Sequence, residues 1–287
     1  MGLIETFTFK GKNVGPHILL TGRVHGNEPA GEYALKRLKG RLETGDITLK
    51  CGQVTIMPCC NPDAAKENKR FIDMNLNRIM SADHIKTHQN ANEANLAAEI
   101  ISRIDECDMS VDFHTFTEHM PPVVICIDDQ NETCRALAKS CGIKRIECDS
   151  PFLSAPGTQM LLHYARHHNK PAILIESGQH EDQDAVETAW HALLNILITQ
   201  GVIDGVPHCE DTHEFLIMRS ALYRREGEEL AFDLMGQDRI NHGDPLFKIA
   251  DGTLIRADIG GLLFMRNANT PIGEEYAYLC DVLDDWP

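Results

Sequence analysis

Three things are missing or scarce in this sequence, and each removes a class of function. No apolar run approaches the ~18 residues needed to cross a bilayer. Positive charge is in deficit: 27 Lys and Arg against 43 Asp and Glu leave a formal charge of −16. Nucleic acids and anionic membranes are held by an excess of Lys and Arg, so neither is expected as a partner. An acidic small molecule is still accommodated where arginines gather locally. Cysteine is present but unpatterned. The ten cysteines, at 51, 59, 60, 107, 126, 134, 141, 148, 209 and 280, include no C-x-x-C pair and no regular framework, which leaves a cysteine zinc site without support. The opening MGLIETFTFK has neither the basic region nor the apolar core of a secretory signal. Together these features set the expectation of free thiols in a reducing cytoplasm. No internal repeat or low-complexity stretch occurs.

What is present is a chain of 287 residues with 43% hydrophobic content, comfortable for one large and one small domain. Near-continuous apolar runs recur at 17–22 (HILLTG), 54–60 (VTIMPCC), 109–116 (MSVDFHTF), 123–128 (VVICID) and 171–177 (PAILIES). Such runs suit strands buried on both faces of a parallel or mixed sheet. Helical spacing fills 30–42, where Ala30, Ala34, Leu38 and Leu42 repeat every four, and 94–106, where Leu96, Ala97, Ile100, Ile101 and Ile104 share a face. Residues 158–168 and 184–200 carry the same period. Strands alternating with helices predict an α/β architecture with helices on both faces, over 1–205. After GVIDG at 201–205 the pattern changes to short strand-like pieces, FLIMRSALYR, LIRADIGGLLFM and EYAYLCDV, punctuated by NHGDP and ADGT. Residues 206–287 therefore read as a small all-β domain.

In open α/β sheets, ligands bind beyond the carboxyl ends of the strands, so functional residues are expected at those ends. The first apolar run leads into TGRVHGNEPAGEYAL, with His25 and Glu28 three apart; the third contains Asp112-Phe113-His114; the last ends on Glu176. Two histidines and a glutamate, with one position left for water, form a catalytic zinc arrangement, and bound water there becomes a nucleophile near neutral pH. Glu28 and His114 are 86 residues apart, so the fold must bring them together. Glu176 at a strand end suits a general base that takes the water's proton and delivers it to a leaving amine, with partial burial raising its pKa. Asp112 lies on the strand face of His114 and reads as its supporting partner. His163, His167 and His168 read instead as solvated residues of a surface helix. His208, Cys209 and His213 are ligand types without catalytic context.

HGNE, NPDAAKENKRFIDMNLNR, DFHT and ILIESGQ, in that order, resemble the succinylglutamate desuccinylase/aspartoacylase family, relatives of the zinc carboxypeptidases. The motifs span roughly residues 17–180. The resemblance implies a zinc-carboxypeptidase-like mixed sheet flanked by helices, a small C-terminal all-β domain, and hydrolysis of an N-acyl amide. It places one Zn2+ on His25, Glu28 and His114, and the general base on Glu176. It gives Arg70 the task of polarising the scissile carbonyl, and Asn77 with Arg78 that of holding a substrate carboxylate. Arg166 is a further carboxylate binder by the same likeness. The residues themselves agree on Arg70 and Arg78, since a guanidinium fork recognises carboxylates bidentately and stabilises an oxyanion.

The leading expectation is a cytoplasmic, zinc-dependent deacylase. It would act on a small N-acyl substrate with a free carboxylate, with no nucleic-acid or membrane partner and with a homo-oligomer allowed. A carboxypeptidase or peptidoglycan amidopeptidase would use the same zinc set. A non-catalytic binding protein would have lost a ligand or the base, and none is lost.

Overall fold

The computed structural model describes residues 3–149 and 159–287; the described residues up to His213 form one compact unit and Glu214–Pro287 a second. The first unit runs β1 (Phe7–Lys10), β2 (Asn13–Gly22), α1 (Ala30–Thr44), β3 (Cys51–Met57), α2 (Pro62–Lys66), α3 (Ala82–Thr87) and α4 (Asn92–Glu106). It continues through β4 (Met109–Phe116), β5 (Val123–Cys126), α5 (Glu132–Ser140), β6 (Arg145–Cys148), α6 (Leu161–His167), β7 (Ala172–Gln179) and α7 (Gln183–Thr199). Its strands lie in the order β1-β3-β2-β4-β7-β5-β6. The central strands β3, β2, β4 and β7 are mutually parallel, whereas β1 and β5 run against their neighbours β3 and β7.

Every residue of β4 and β5 is buried, including the polar Ser110, Asp112, His114 and Thr115 of β4, as in strands covered on both faces. One group of helices, α1, α5 and α7, packs together over the sheet; a second, α3, α4 and α6, also packs together and reaches β2 and β7. The two groups cover opposite faces, so the sheet is the middle of three layers. The carboxyl ends of β2, β4 and β7 stand side by side, with His114 opposite Glu176 in register.

The turn between β2 and α1 is tightly built. Gly26 lies so close to α2 that a Cβ there would sit 2.2 Å from the Ala64 carbonyl carbon. Arg23 adopts a left-handed φ of 50°, unusual for a side chain with a Cβ. It is held there by Nε donating to the Gly26 carbonyl at 2.8 Å, by a bond to the Ala65 carbonyl at 3.4 Å, and by an ion pair with Glu32.

The second unit contains β8 (Glu214–Tyr223), β9 (Glu228–Leu230), β10 (Arg239–Ile240), β11 (Pro245–Ile249), β12 (Leu254–Arg256), β13 (Gly261–Phe264) and β14 (Glu275–Leu283). An antiparallel sheet β8-β14-β13-β10 and a small sheet β12-β11-β9 share a core that includes Leu222, Leu246, Phe247, Leu263 and Tyr276.

The structure departs from the sequence expectations in five places. LIRADIGGLLFM divides between β12 and β13, in different sheets, because Gly260-Gly261 breaks it. β6 was not expected: RIEC is four residues long and alternates charge with apolar side chains. The helix expected over 158–168 begins at Leu161, and residue 158 lies outside the described residues. His163, expected to be solvated with His167 and His168, is buried at 6% exposure, its Nδ1 accepting from the Met160 N–H at 3.1 Å. It lies on the face of α6 turned to the core beside Leu162 and Ala165, while His167 and His168 point out. Residues 206–213 group with the first unit, where the Asn195 amide bonds both ways to the His208 backbone. All ten cysteines are free. No helix among the described residues is long and apolar enough to cross a membrane.

Candidate functional site

The turn after β2 and the end of β4 bring His25, Glu28 and His114 together with their ligand atoms within 4.8 Å of one another, all three buried. Glu28 sits between the rings. Its Oε1 is 2.8 Å from His25 Nδ1 and its Oε2 is 2.8 Å from His114 Nδ1. The Arg70 guanidinium also donates to Oε1 at 2.8 Å, and the Thr115 N–H to Oε2 at 3.2 Å. Burial opposes ionisation of Glu28, yet the two rings outweigh it and hold the carboxyl well below its ordinary range.

The far side of each ring fixes its tautomer. Asp112, fully buried, takes its place against His114 Nε2 at 2.7 Å, and its other oxygen accepts from the Thr21 hydroxyl at 2.7 Å. His25 Nε2 lies 3.0 Å from Asn75 Oδ1, an oxygen identified by the Asn77 N–H that it also accepts at 3.0 Å. Both Nε2 atoms therefore carry protons and donate. If Nδ1 were protonated as well, the site would hold two imidazolium rings with centroids 4.9 Å apart. Burial, opposed by Glu28 and aided by Arg70, pulls His25 down to about 4, so its ring is neutral at physiological pH. For His114, burial is outweighed by Asp112 and Glu28, which push its pKa well above the usual histidine value. The neutral His25 ring turns an Nδ1 lone pair toward a carboxylate oxygen at 2.8 Å, two acceptors facing with no proton between them. A cation shared by His25, Glu28 and His114 resolves that mismatch and would displace any proton from His114 Nδ1 as well. The donor set, two imidazoles and a carboxylate, suits zinc.

Glu176 is half-buried on β7, facing His114 across the parallel pair and Val123 across the antiparallel one. Its buried Oε2 has no hydrogen-bond partner among the described residues. Burial lifts its pKa to about 8, with His114 and Arg70 pulling the other way. Arg70 is 42% exposed at the side chain, anchored to Glu28 by one nitrogen. Asn77 is buried, and its Oδ1 accepts from the Leu161 N–H at 2.9 Å; Arg78 is half-buried and donates to the Asn77 carbonyl at 2.8 Å. Arg166 pairs with Asp149 at 2.9 Å and approaches Asp128 at 3.8 Å, so its charge is already matched by carboxylates. The structure thus brings together His25, Glu28, His114, Glu176 and Arg70, and places Asn77 and Arg78 on the segment that reaches His25 through Asn75. Arg166 is engaged elsewhere.

Asn75, two residues before Asn77, and Thr115, next to His114, are site residues that the sequence does not single out. His180, four residues after Glu176 and just past the end of β7, bonds through Nδ1 to the Thr115 hydroxyl at 2.7 Å. His180 also lines a cavity of about 630 Å3, with Pro29, Tyr33, Asp182 and Glu187 in its wall.

Comparison with known proteins agrees with this arrangement. The succinylglutamate desuccinylase/aspartoacylase catalytic domain matches residues 14–196, well over half of the sequence. The chain belongs to that family. Among characterised relatives, a succinylglutamate desuccinylase of Pseudomonas paraeruginosa is 30% identical over 121 residues, 40% of this chain and 35% of that protein. An N-acyl-aromatic-L-amino acid amidohydrolase (carboxylate-forming) of Danio rerio is 30% identical over 113 residues, 36% of this chain and 35% of that protein. The matches span about a third of the length of these relatives. A crystal structure of a succinylglutamate desuccinylase/aspartoacylase from Rhodobacter sphaeroides superposes with a TM-score of 0.78 at 20% identity, covering 98% of this chain and 90% of that one. The product-bound ectoine utilization protein EutE (DoeB) from Ruegeria pomeroyi gives 0.77 at 22%, covering 96% and 88%. At these identities the likeness establishes the fold.

Proposed function

We propose that this protein is a zinc-dependent hydrolase cleaving the amide bond of a small N-acyl amino acid, or a related N-acyl compound with a free carboxylate. One observation carries the reading: two histidines with locked Nε2 protons and a carboxylate converge beside Glu176, whose buried Oε2 has no hydrogen-bond partner among the described residues. The names of the relatives, a desuccinylase and an N-acyl amino acid amidohydrolase, support the substrate class.

Zinc held by His25, Glu28 and His114 would polarise an amide carbonyl and lower the pKa of water. Asp112 and Asn75 keep both rings in the tautomer that offers Nδ1. Glu176 takes the proton of the attacking water and returns it to the departing nitrogen, which leaves as an amine. Arg70, fixed at one nitrogen by Glu28, turns its exposed remainder to the carbonyl oxygen as negative charge develops there. Arg78 holds the substrate carboxylate, its guanidinium steadied by the Asn77 carbonyl, with Asn77 itself fixed to the start of α6. Arg166, matched by Asp149 and Asp128, leaves that anion site to Arg78.

An amine-release screen over N-acyl amino acids with zinc-loaded protein tests the reading. Turnover on at least one small N-acyl amino acid, abolished by chelation and restored by zinc, is expected. Equal rates on long peptides bearing the same carboxylate would replace the deacylase with a carboxypeptidase. The arginines should separate kinetically. Arg78→Ala is expected to raise KM about 10- to 100-fold, the scale of a lost charge-assisted hydrogen bond, and Arg70→Ala to depress kcat more than KM. Unchanged KM in Arg78→Ala across carboxylate substrates would remove Arg78 from the site.

A further inference from the structure

Glu93 is a fully buried carboxylate to which the mechanism above gives no task. It sits in the first turn of α4 with no exposed surface. Its Oε1 accepts from the Ile72 N–H at 2.7 Å and the Asn61 amide at 3.2 Å; its Oε2 accepts from the Asp73 N–H at 3.1 Å and the Met74 N–H at 3.3 Å. Three successive backbone donors form an anion cradle of the kind that usually receives a ligand, and here a side chain of the same protein fills it. The clasp is reciprocal, because Asp73 Oδ2 accepts from the Asn92 N–H at 2.7 Å.

Buried charges contribute little net stability even when well bonded, and their best-attested use is to specify position. What Glu93 positions is the segment that supports the metal ligands. Two residues before the cradle, Arg70 donates to Glu28, and its carbonyl accepts from the Gly26 N–H at 3.2 Å. One residue after it, Asn75 receives the His25 Nε2 proton. The segment latched by Glu93 therefore touches two of the three ligands, across a gap of 93 − 25 = 68 residues in sequence.

We infer that Glu93 is a positioning residue of the metal centre, acting through residues 72–75 so that Asn75 orients the His25 ring. The inference rests on the metal-hydrolase reading, and its test does not depend on finding a substrate. Zinc dissociation constants, measured by chelator competition, are compared in the parent, Glu93→Gln, Asn75→Ala and the double variant. Gln retains the size of Glu but replaces one acceptor oxygen with a donor that faces backbone N–H groups. Asn75→Ala should weaken zinc binding about 10- to 100-fold, the usual cost of losing a partner behind a ligand, and Glu93→Gln about tenfold. Because both act along one path, the double variant should bind zinc within about threefold of Asn75→Ala alone. A merely structural Glu93 would give losses that multiply. Multiplying losses, or a folded Glu93→Gln variant with parental affinity, would overturn the inference and leave the metal site intact. A parent that binds no zinc would overturn the metal reading and this inference with it. If Glu93→Gln does not fold, Glu93→Asp is carried through the same cycle: it keeps the charge but shortens its reach, and should show the same non-additive loss at smaller size. Additivity there overturns the inference equally.

Discussion

Glu176→Gln is expected to keep its full complement of zinc and lose about 10²–10⁴-fold in kcat, the span of a missing general acid–base group. The substitution is nearly isosteric, and Glu176 is not among the three residues whose donor atoms converge. Metal binding and proton transfer should therefore separate cleanly, with metal content read by elemental analysis and kcat on the best substrate of the screen. The pH profile carries the same claim. A base must be ionised to work, so activity falls as pH drops through its pKa. Burial lifts Glu176 from the ordinary carboxylate value of 4.5 to about 8, and a nearby dication draws it down again. The acid limb of kcat/KM in the zinc-loaded protein should therefore lie between those two values and above the ordinary carboxylate range. Near-parental turnover in Glu176→Gln would assign the proton transfer to another group.

The second large effect is expected from His114→Ala. It removes one of three donors and strands Asp112, which loses its partner at 2.7 Å while remaining fully buried. Zinc content should fall to background. The parent should be stabilised by zinc by about 4 kcal/mol at a thousandfold excess over Kd, worth roughly 8–16 °C in Tm for a unit of this size. The variant should melt at the same temperature with and without the metal. A zinc-dependent rise in Tm equal to that of the parent would mean that the ion sits elsewhere.

Much of this arrangement is written locally in the sequence. β2 and β7 announce themselves through near-continuous apolar stretches because central parallel strands are buried on both faces, and β4 through its β-rich run. Glu176 lies near the end of β7, His114 near the end of β4, and His25 in the turn just past β2. The His25–Glu28 spacing is legible because one turn supplies both ligands. Asp112 is legible because alternate residues of a strand share a face. What stayed hidden are polar contacts between segments remote in sequence. Nothing at position 93 distinguishes a glutamate locked under three backbone amides from its solvated neighbours on a helix, and Asn75 reads as one more asparagine in an asparagine-rich loop. Arg166 shows the converse: its type and place suggest anion binding, but Asp149 and Asp128 meet it first. His163 reads as a surface residue from its polar neighbours in HYARHH, whereas the period of α6 turns it inward. Strand β6 is too short and too charged to stand out without its partner β5.

The central claim is that one zinc ion is held by nitrogen and oxygen donors alone. X-ray absorption at the zinc K-edge of the stoichiometrically loaded protein tests it most directly, because ten free cysteines offer a competing set of ligands. The account requires a first shell fitted by two imidazole nitrogens at about 2.0–2.1 Å and by oxygens at about 2.0–2.2 Å, with the imidazole signal reduced in His114→Ala. A sulfur shell at about 2.3 Å, or a spectrum that His114→Ala leaves unchanged, would contradict it.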